Sequence, residues 1–564
     1  MEIEAMAVGT NGAATNTVSL SHDEWSKHEG PVPTDHDNSG LTRHWFPADF
    51  IFGWKITDGS NGTLACDMYN RYKEDIKMMK QMGFDSYRFS ISWSRILPGG
   101  RCNAGINSEG IDYYNGVINT VLEHDMKPFV TLFHWDLPLC LEKEYGGFLS
   151  KRVKDDFREF AEVCFWAFGD RVKSWSTLNE PWTYAVNGYV TGKFAPGRKV
   201  PGSNDILDTK IALYRSLPVL LERSAGDKTT VTALPSEAYT VARNLLLAHA
   251  EAVHLYRTKF QEAQQGKIGI VLCSHWFYAF NEESEADRLA VKRALDFMLG
   301  WFLEPVLYGH YPKNMINYVP PDNLASFTPH EIEKLRGSLD FLGLNYYTTE
   351  YVSDDPYPTE AEGYAADQKL KFSSERNGQF IGTPSGSSWL FSVPKGIYAI
   401  LTFLNKEYGP ELKEIYITEN GWSTKNDFTK TAKMVCDDDE NRTKYFQDHL
   451  ANILKSMKDE ECSRHGLFKK LKGYFLWSWC DNYEWSEGYT ARFGLVYVDY
   501  MNELTRYPKN SAAWIAKFLK SKEKPPRCDP WLFNNKRSMI EDNDEIETSA
   551  NKRLKLVETT TPDQ

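Results

Sequence analysis

Short apolar segments alternate with amphipathic segments along most of this 564-residue chain. Strands buried on both faces are continuous apolar runs, whereas apolar residues recurring every three or four positions indicate helices. Eight such runs separated by helical patterns predict an α/β protein with a single closed (β/α)8 TIM barrel. The candidate strands are Phe50–Gly53, Ser86–Trp93, Lys127–His134, Ser174–Leu178, Ile268–Phe277, Asp340–Tyr347, Glu414–Thr418 and Leu471–Trp479.

Two stretches interrupt this alternation. Lys199–Ser236 mixes Pro, Gly and charge around a short helical pattern at Ile206–Arg223, which predicts a long loop over the mouth of the fourth strand. The second stretch is Asp354–Gly382, which we expect to be mobile. The helical patterns between the strands are Arg71–Met82, Ile111–Glu123, Lys151–Phe168, Ala242–Phe260, Glu285–Leu299 and Lys395–Tyr408.

The two ends of the chain have a different composition from the centre. Residues 1–44 are polar and predict a disordered arm, residues 45–531 hold the barrel, and residues 532–564 predict a disordered tail. The tail carries two basic clusters, Lys536-Arg537 and Lys552–Lys555, which are candidate nuclear import signals or else a solvated charged tail. The N-terminus has no apolar signal region. We therefore expect a protein that is nuclear, or otherwise cytoplasmic, and not secreted.

Composition excludes several classes of function. A net charge of −12 argues against a dedicated nucleic-acid surface. No apolar stretch approaches the roughly 20 residues that span a bilayer, so no membrane partner is expected. The nine cysteines form no CxxC pair, so a zinc site is not expected. The 14% aromatic content fits a large core and also a sugar site lined by rings. The sequence leaves a homo-oligomer open.

Two candidate strands end at a glutamate. Glu180 lies in the segment Thr-Leu-Asn-Glu-Pro, and Glu419 in Tyr-Ile-Thr-Glu-Asn-Gly. In a barrel of parallel strands, catalytic side chains converge at these C-terminal ends. Two carboxyls facing each other across a bond can perform acid/base and nucleophilic chemistry without a metal or cofactor.

With these motifs, the chain resembles the retaining β-glucosidases of glycoside hydrolase family 1. The resemblance runs from about Trp45 to Phe518 and implies that Glu180 is the acid/base and Glu419 the nucleophile. It also implies a small-molecule β-glucoside as substrate, with no cofactor. The further motifs that carry it are Arg88–Trp93, His134–Asp136, Asn345–Tyr347 and Trp477–Trp485.

The resemblance also implies roles for eight other side chains. Arg88 and Tyr347 match the residues that contact the nucleophile. The remaining six match sugar-binding and aglycone-binding positions. They are Asn179 for the 2-hydroxyl, His134 for the 3-hydroxyl, Glu484 for the 4- and 6-hydroxyls, Trp477 stacked on the ring, Trp485 beside it, and Trp389 at the aglycone.

The basic tail, the Lys199–Ser236 insert and the absence of a secretory signal resemble one plant branch of the family. Members of that branch deglucosylate monoterpenoid indole and isoquinoline alkaloids of the strictosidine type. The resemblance therefore implies an alkaloid glucoside as substrate. A thioglucosidase of the myrosinase kind is a weaker interpretation, because those relatives have glutamine where this chain has Glu180.

The chain departs from the family after its first candidate strand. Only Trp54-Lys55 separates Phe50–Gly53 from Ile56. Relatives have there a Tyr-Gln pair and a loop ending in Trp-Asp, so a segment of roughly 30 residues, the size of one βα unit, is missing. The missing glutamine normally contacts the 3- and 4-hydroxyls. A non-catalytic relative or splice variant that binds or co-assembles with a full-length enzyme is therefore the alternative interpretation.

Overall fold

The structure, a computed structural model, describes residue 56 and residues 58–201, 231–359, 362–459 and 466–521. The predicted strand Phe50–Gly53, the predicted helix Ile206–Arg223 and both predicted tails lie outside the described residues. The boundaries predicted at residues 44 and 531 therefore stay predictions.

Seven strands form one sheet in which every neighbouring pair is parallel. Spatial order follows chain order, with each strand paired to the next one along the chain, as in a (β/α)8 barrel. This curled sheet confirms the predicted fold class. The strands are β1 (Ser86–Ser90), β2 (Lys127–Phe133), β3 (Ser174–Asn179), β4 (Lys267–Cys273), β5 (Phe341–Asn345), β6 (Ile415–Glu419) and β7 (Leu471–Tyr474).

The strands are apolar because helices cover the outer face of the sheet and side chains fill the inner face. In β2 and β4 only the first residue is exposed. Gly269 in β4 allows close packing with β5, since a Cβ there would lie 2.2 Å from the carbonyl oxygen of Phe341. Side chains from strands and helices together form one extensive apolar core.

Helices connect consecutive strands, as the alternating pattern predicts. Val153–Phe168, for example, lies between β2 and β3 and packs on Glu237–Leu255. The α-helices are Met68–Met82, Trp93–Ile96, Ser108–Glu123, Leu139–Tyr145, Val153–Phe168, Pro181–Tyr189, Glu237–Leu255, Gln261–Gln264, Glu285–Leu295, Trp301–Tyr308, Lys313–Tyr318, Pro329–Leu335, Tyr364–Asp367, Pro394–Glu407, Ala432–Asp437, Glu440–Lys458, Leu467–Lys470 and Asn510–Lys520. None of the helices in the described ranges is long and apolar enough to cross a membrane.

Two sequence predictions differ from the structure. The candidate strand Ile268–Phe277 is two strands, β4 and Trp276–Ala279, which belong to different sheets. The stretch predicted to be mobile contains Leu370–Ser373, which pairs with Thr349–Asp354. The apolar pattern missed this pairing because both strands contain half-buried residues and Lys371, within Leu370–Ser373, is exposed. The other short strands are Arg198–Lys199, Val231–Thr232, Glu375–Arg376, Gln379–Phe380, Thr383–Pro384, Phe391–Ser392, Thr424–Lys425, Ala491–Arg492, Val496–Asp499 and Thr505–Pro508.

The described sheet is open on one side. Within the described ranges, β1 pairs only with β2 and β7 only with β6, so the edge strands do not close the barrel. A cavity of about 540 Å³ is lined by residues of both edge strands and of the helix Met68–Met82. Aromatic side chains make much of its wall, among them Phe89, Phe129, Tyr474 and Trp479.

Candidate active site

Glu180 lies at the junction of β3 and the helix Pro181–Tyr189. Its backbone is left-handed, with φ at 41°, and its N–H donates to the carbonyl oxygen of Val271 in β4 over 2.9 Å. Pro181 follows at the first helical position, where its fixed φ suits the helix and its missing N–H removes no intrahelical bond. This junction places the carboxyl at the C-terminal end of the strands.

The Glu180 carboxyl is buried, and each of its oxygens accepts a hydrogen bond. Asn345 Nδ2 donates to Oε1 and Thr183 Oγ1 donates to Oε2, each over 2.7 Å. Burial raises its pKa to about 7, and the nearby negative charge of Glu419 acts in the same direction. Glu180 therefore holds its proton up to near-neutral pH, as a general acid requires.

Glu419, the last residue of β6, has a different environment. Arg88 Nη1 donates to its Oε1 over 2.7 Å, and the Tyr347 hydroxyl donates to its Oε2 over 2.8 Å. The residue is only 4% exposed, and its carboxyl forms a buried, charge-assisted ion pair with the Arg88 guanidinium. Burial raises the pKa of Tyr347 well above its ordinary value, so this hydroxyl remains a donor.

A hydrogen-bond network connects the two carboxyls and fixes two amides. Thr418 Oγ1 donates to Asn345 Oδ1 over 2.7 Å, so Asn345 Nδ2 faces Glu180 and Asn179. Arg88 Nη2 donates to Asn179 Oδ1 over 2.6 Å, which leaves the Asn179 amide nitrogen, 3.0 Å from His134 Nε2, as the donor to that ring. Burial lowers the pKa of His134 well below its ordinary value. The neutral ring therefore carries its proton on Nδ1.

Aromatic rings form one wall of the site. The Trp485 ring lies 5.6 Å from His134 and nearly parallel to it, and Trp477 lies 6.1 Å from His134. Trp477 lies beside the buried Glu484 carboxyl, whose Oε1 has no hydrogen-bond partner. Burial raises the pKa of Glu484 well above its ordinary range. A buried polar oxygen without a partner is costly, and a ligand hydroxyl would satisfy it.

Trp389 also lines the cavity of this site. Its ring contacts Tyr347 edge-on at 5.6 Å and lies parallel to the His275 ring, with the two ring centres 6.5 Å apart. His275 lies in the break between β4 and Trp276–Ala279, and its Nδ1 is 3.3 Å from Glu350 Oε2.

The structure brings all ten residues predicted from sequence to one place. Arg88 and Asn179 contact the site through the hydrogen bonds described above. The other eight line a cavity of about 150 Å³. They are His134, Glu180, Tyr347, Trp389, Glu419, Trp477, Glu484 and Trp485. In the described part of the chain, no group of three or more His, Cys, Asp or Glu residues is arranged to hold a metal ion.

Sequence reasoning missed three residues of this site. Asn345 bridges Glu180 and Asn179, Thr183 donates to Glu180, and His275 faces Trp389. Asn345 could have been identified, because it is a polar residue at the C-terminal end of a candidate strand within a motif that was already recognised. Thr183 and His275 carry no comparable signal.

Comparison with known proteins gives one consistent result. The model of glycosyl hydrolase family 1 matches residues 52–524. Raucaffricine-O-β-D-glucosidase of Rauvolfia serpentina is 44% identical over 93% of this chain and 98% of its own length. Ipecac alkaloid β-glucosidase 3 of Carapichea ipecacuanha is 43% identical over 86% of this chain and 92% of its own. The crystal structure of the rice Os3BGlu6 β-glucosidase is 40% identical, covers 83% of this chain and 91% of its own, and superposes with a TM-score of 0.74.

Proposed function

Because this chain belongs to glycosyl hydrolase family 1, we propose that it is a retaining β-glucosidase in which Glu419 is the nucleophile and Glu180 the acid/base. The observation that carries the proposal is the contrast between the two carboxyls. Glu419 forms a buried ion pair with the Arg88 guanidinium, whereas burial raises the pKa of Glu180 to about 7. Double displacement requires one carboxyl that attacks the anomeric carbon and one that donates a proton, and the two different environments suit these two roles.

In the first step, the Glu419 carboxylate attacks the anomeric carbon while Glu180 donates its proton to the departing aglycone oxygen. A covalent glucosyl-Glu419 ester forms, and Glu180 becomes an anion. In the second step, Glu180 takes a proton from a water molecule that attacks the same carbon. Glucose leaves with its β configuration, Glu419 is released as the carboxylate, and Glu180 regains its proton.

Glucose recognition follows from the groups around the two carboxyls. Asn179 is oriented by Arg88 and Asn345 and is proposed to bind the 2-hydroxyl, where contacts strengthen in the transition state. His134 is proposed to bind the 3-hydroxyl. Glu484 Oε1 would accept from the 4- and 6-hydroxyls, which would satisfy a buried oxygen that has no partner. Trp477 and Trp485 provide the apolar surface for the sugar ring.

The protonation state of Glu180 predicts a pH profile. Since the acid must carry its proton, kcat/KM should fall as pH rises through about 7. The Thr183 hydrogen bond lowers the pKa of Glu180 by favouring its ionised form, so Thr183→Val should shift the basic limb of the profile to higher pH. We would measure kcat/KM from pH 4 to 9. The control, Thr120→Val, removes a helical hydroxyl that bonds only Gly116 and should leave the profile unchanged.

The finer proposal is that the substrate is an alkaloid glucoside of the strictosidine type. Its support is the similarity to an ipecac alkaloid β-glucosidase and the aromatic aglycone wall at Trp389. We would compare kcat/KM for strictosidine with that for coniferyl, flavonoid and secoiridoid glucosides. A preference for strictosidine that falls in Trp389→Ala, with kcat/KM for p-nitrophenyl glucoside less affected, supports the proposal. Preference for another class would replace it.

A non-catalytic relative that co-assembles with a full-length enzyme is the second candidate. The open side of the described barrel favours it, since β1 and β7 leave backbone edges unpaired within the described ranges. The intact hydrogen-bond network around Glu180 and Glu419 favours catalysis instead. Trapping of a covalent glucosyl intermediate on Glu419 would separate the two candidates.

We also propose that the basic clusters of the tail direct the protein to the nucleus. The residues concerned, Lys536-Arg537 and Lys552–Lys555, lie outside the described residues, and their support is their composition. Replacing their Lys and Arg residues by Ala in a fluorescent fusion should move the protein out of the nucleus and leave glucosidase activity unchanged. An unchanged distribution would contradict the proposal.

A further inference from the structure

Two cysteines that no catalytic role uses lie together at the open side of the barrel. The side chains of Cys66 and Cys480 lie beside each other in one buried apolar cluster, and both residues are free thiols. They are 9% and 6% exposed, yet both line the 540 Å³ cavity between β1 and β7. This cavity is therefore the route by which a small molecule would approach the two residues.

The two thiols belong to parts of the chain that are far apart in sequence, and one of these parts carries residues of the candidate glucose site. Cys66 lies two residues before the helix Met68–Met82. Cys480 lies in the loop that follows β7, between Trp477 and Glu484 of the candidate glucose site. A covalent bond between them would connect the glucose-binding loop to the first helix of the described chain, across the side where the described sheet is open.

The surroundings favour reaction at Cys66. The hydrogen bond from Cys480 lowers the pKa of the Cys66 thiol, and the Arg506 guanidinium acts in the same direction. Arg506 is held there by a buried ion pair with Asp75, at 3.1 Å, whose negative charge partly offsets its effect. Cys480, by contrast, has a pKa raised well above its ordinary value. The thiolate is the nucleophile in disulfide exchange, so Cys66 attacks first and Cys480 resolves.

We propose that Cys66 and Cys480 are a redox modification site that forms a reversible disulfide on reaction with a low-molecular-weight disulfide such as glutathione disulfide. The Cys66 thiolate attacks one sulfur of glutathione disulfide, forms a mixed disulfide and releases one glutathione. The Cys480 thiolate then attacks Cys66 Sγ and releases the second glutathione. Two thiol protons pass to the two glutathiones, and the protein loses two hydrogens.

The bridge should stabilise the fold. It closes a loop of several hundred residues, and cross-links over long loops remove the most conformational freedom from the unfolded chain. It also restrains the loop that carries Trp477 and Glu484. We therefore expect the oxidised protein to melt a few degrees higher than the reduced protein and to keep its activity longer on heating.

The test uses the full chain, reduced and then equilibrated with graded ratios of glutathione disulfide to glutathione. Remaining thiols are alkylated, and the protein is analysed by intact mass and by peptide mapping without reduction. The expected result is a peptide pair linked through Cys66 and Cys480, reversed by dithiothreitol and accompanied by a rise in Tm. Glutathione retained on Cys66 without the link, or both thiols left free at every ratio, would overturn the proposal.

Three variants sharpen the test. Cys66→Ser and Cys480→Ser should each abolish both the link and the oxidation-dependent rise in Tm. Cys140→Ser, which removes an exposed thiol, should leave both intact. Phenylarsine oxide, which bridges adjacent thiols, should bind the reduced wild type and the Cys140 variant but neither of the other two. This second readout holds for wild type even if a serine variant fails to fold, and failure of wild type to bind it would contradict the adjacency on which the proposal depends.

Discussion

Replacing Glu419 with Gln should reduce kcat on every glucoside by at least about 10³-fold, because the amide cannot form the glucosyl ester. The loss should not depend on the leaving group, since the nucleophile is needed however easily the aglycone departs. Arg88 and Tyr347 would lose a charged partner but keep a hydrogen-bonding one, so the fold should survive. We would measure kcat and the thermal melt together.

Glu414→Gln is the matched control. Glu414 immediately precedes the same strand at its opposite end, where it pairs with the half-exposed Lys267. Such pairs contribute little, so activity and melt should both stay close to wild type. If the Glu419 variant retained substantial activity, or if the control lost as much, the nucleophile assignment would be wrong.

Replacing Glu180 with Gln should separate substrates by their leaving group. Glucosides whose aglycones are poor leaving groups need the proton, and general acid catalysis contributes about 10²–10⁴-fold, so their kcat/KM should fall by that order. A 2,4-dinitrophenyl glucoside needs no proton, so its first step should change little. Its second step should slow, because no base then activates water, and the covalent intermediate should accumulate as a burst.

Azide provides an internal check on this variant. A small anion can attack the intermediate without a general base, so azide should restore turnover of the dinitrophenyl glucoside and yield β-glucosyl azide. It should have no such effect on the Glu419 variant, which forms no intermediate. If kcat/KM falls equally for all substrates in the Glu180 variant and azide does not restore turnover, Glu180 is not the acid/base.

Much of the barrel could be predicted because buried parallel strands are recognisable from local sequence. The observed β1 begins at the predicted residue, and β6 differs from its prediction by one residue at each end. The prediction for β7 extended to Trp479, whereas the strand ends at Tyr474. Trp477 and Trp479 prolong the apolar run although they lie in the following loop, near the site and the open side. Apolar character alone cannot distinguish a strand from an aromatic loop.

The residues of the candidate site could be predicted from the sequence, but the contacts between them could not. The motifs identified the residues that converge, because they lie at strand ends and strand ends meet at one face of a barrel. The bridge from Asn345 to Glu180 could not be predicted, because the two residues are 165 positions apart and their contact depends on the curvature of the sheet. The meeting of Cys66 with Cys480 likewise depends on how the chain returns to the open side.

The most direct test is an intact-mass measurement after incubation with a 2-deoxy-2-fluoro-β-glucoside that carries a dinitrophenyl leaving group. The fluorine slows the second step, so a working nucleophile becomes trapped. The account predicts one 2-deoxy-2-fluoroglucosyl group per chain, located on Glu419 by peptide mapping and absent from Glu419→Gln. A cooperatively melting protein that acquires no adduct would contradict catalysis and favour the non-catalytic alternative, and an adduct on another residue would contradict the assignment of Glu419.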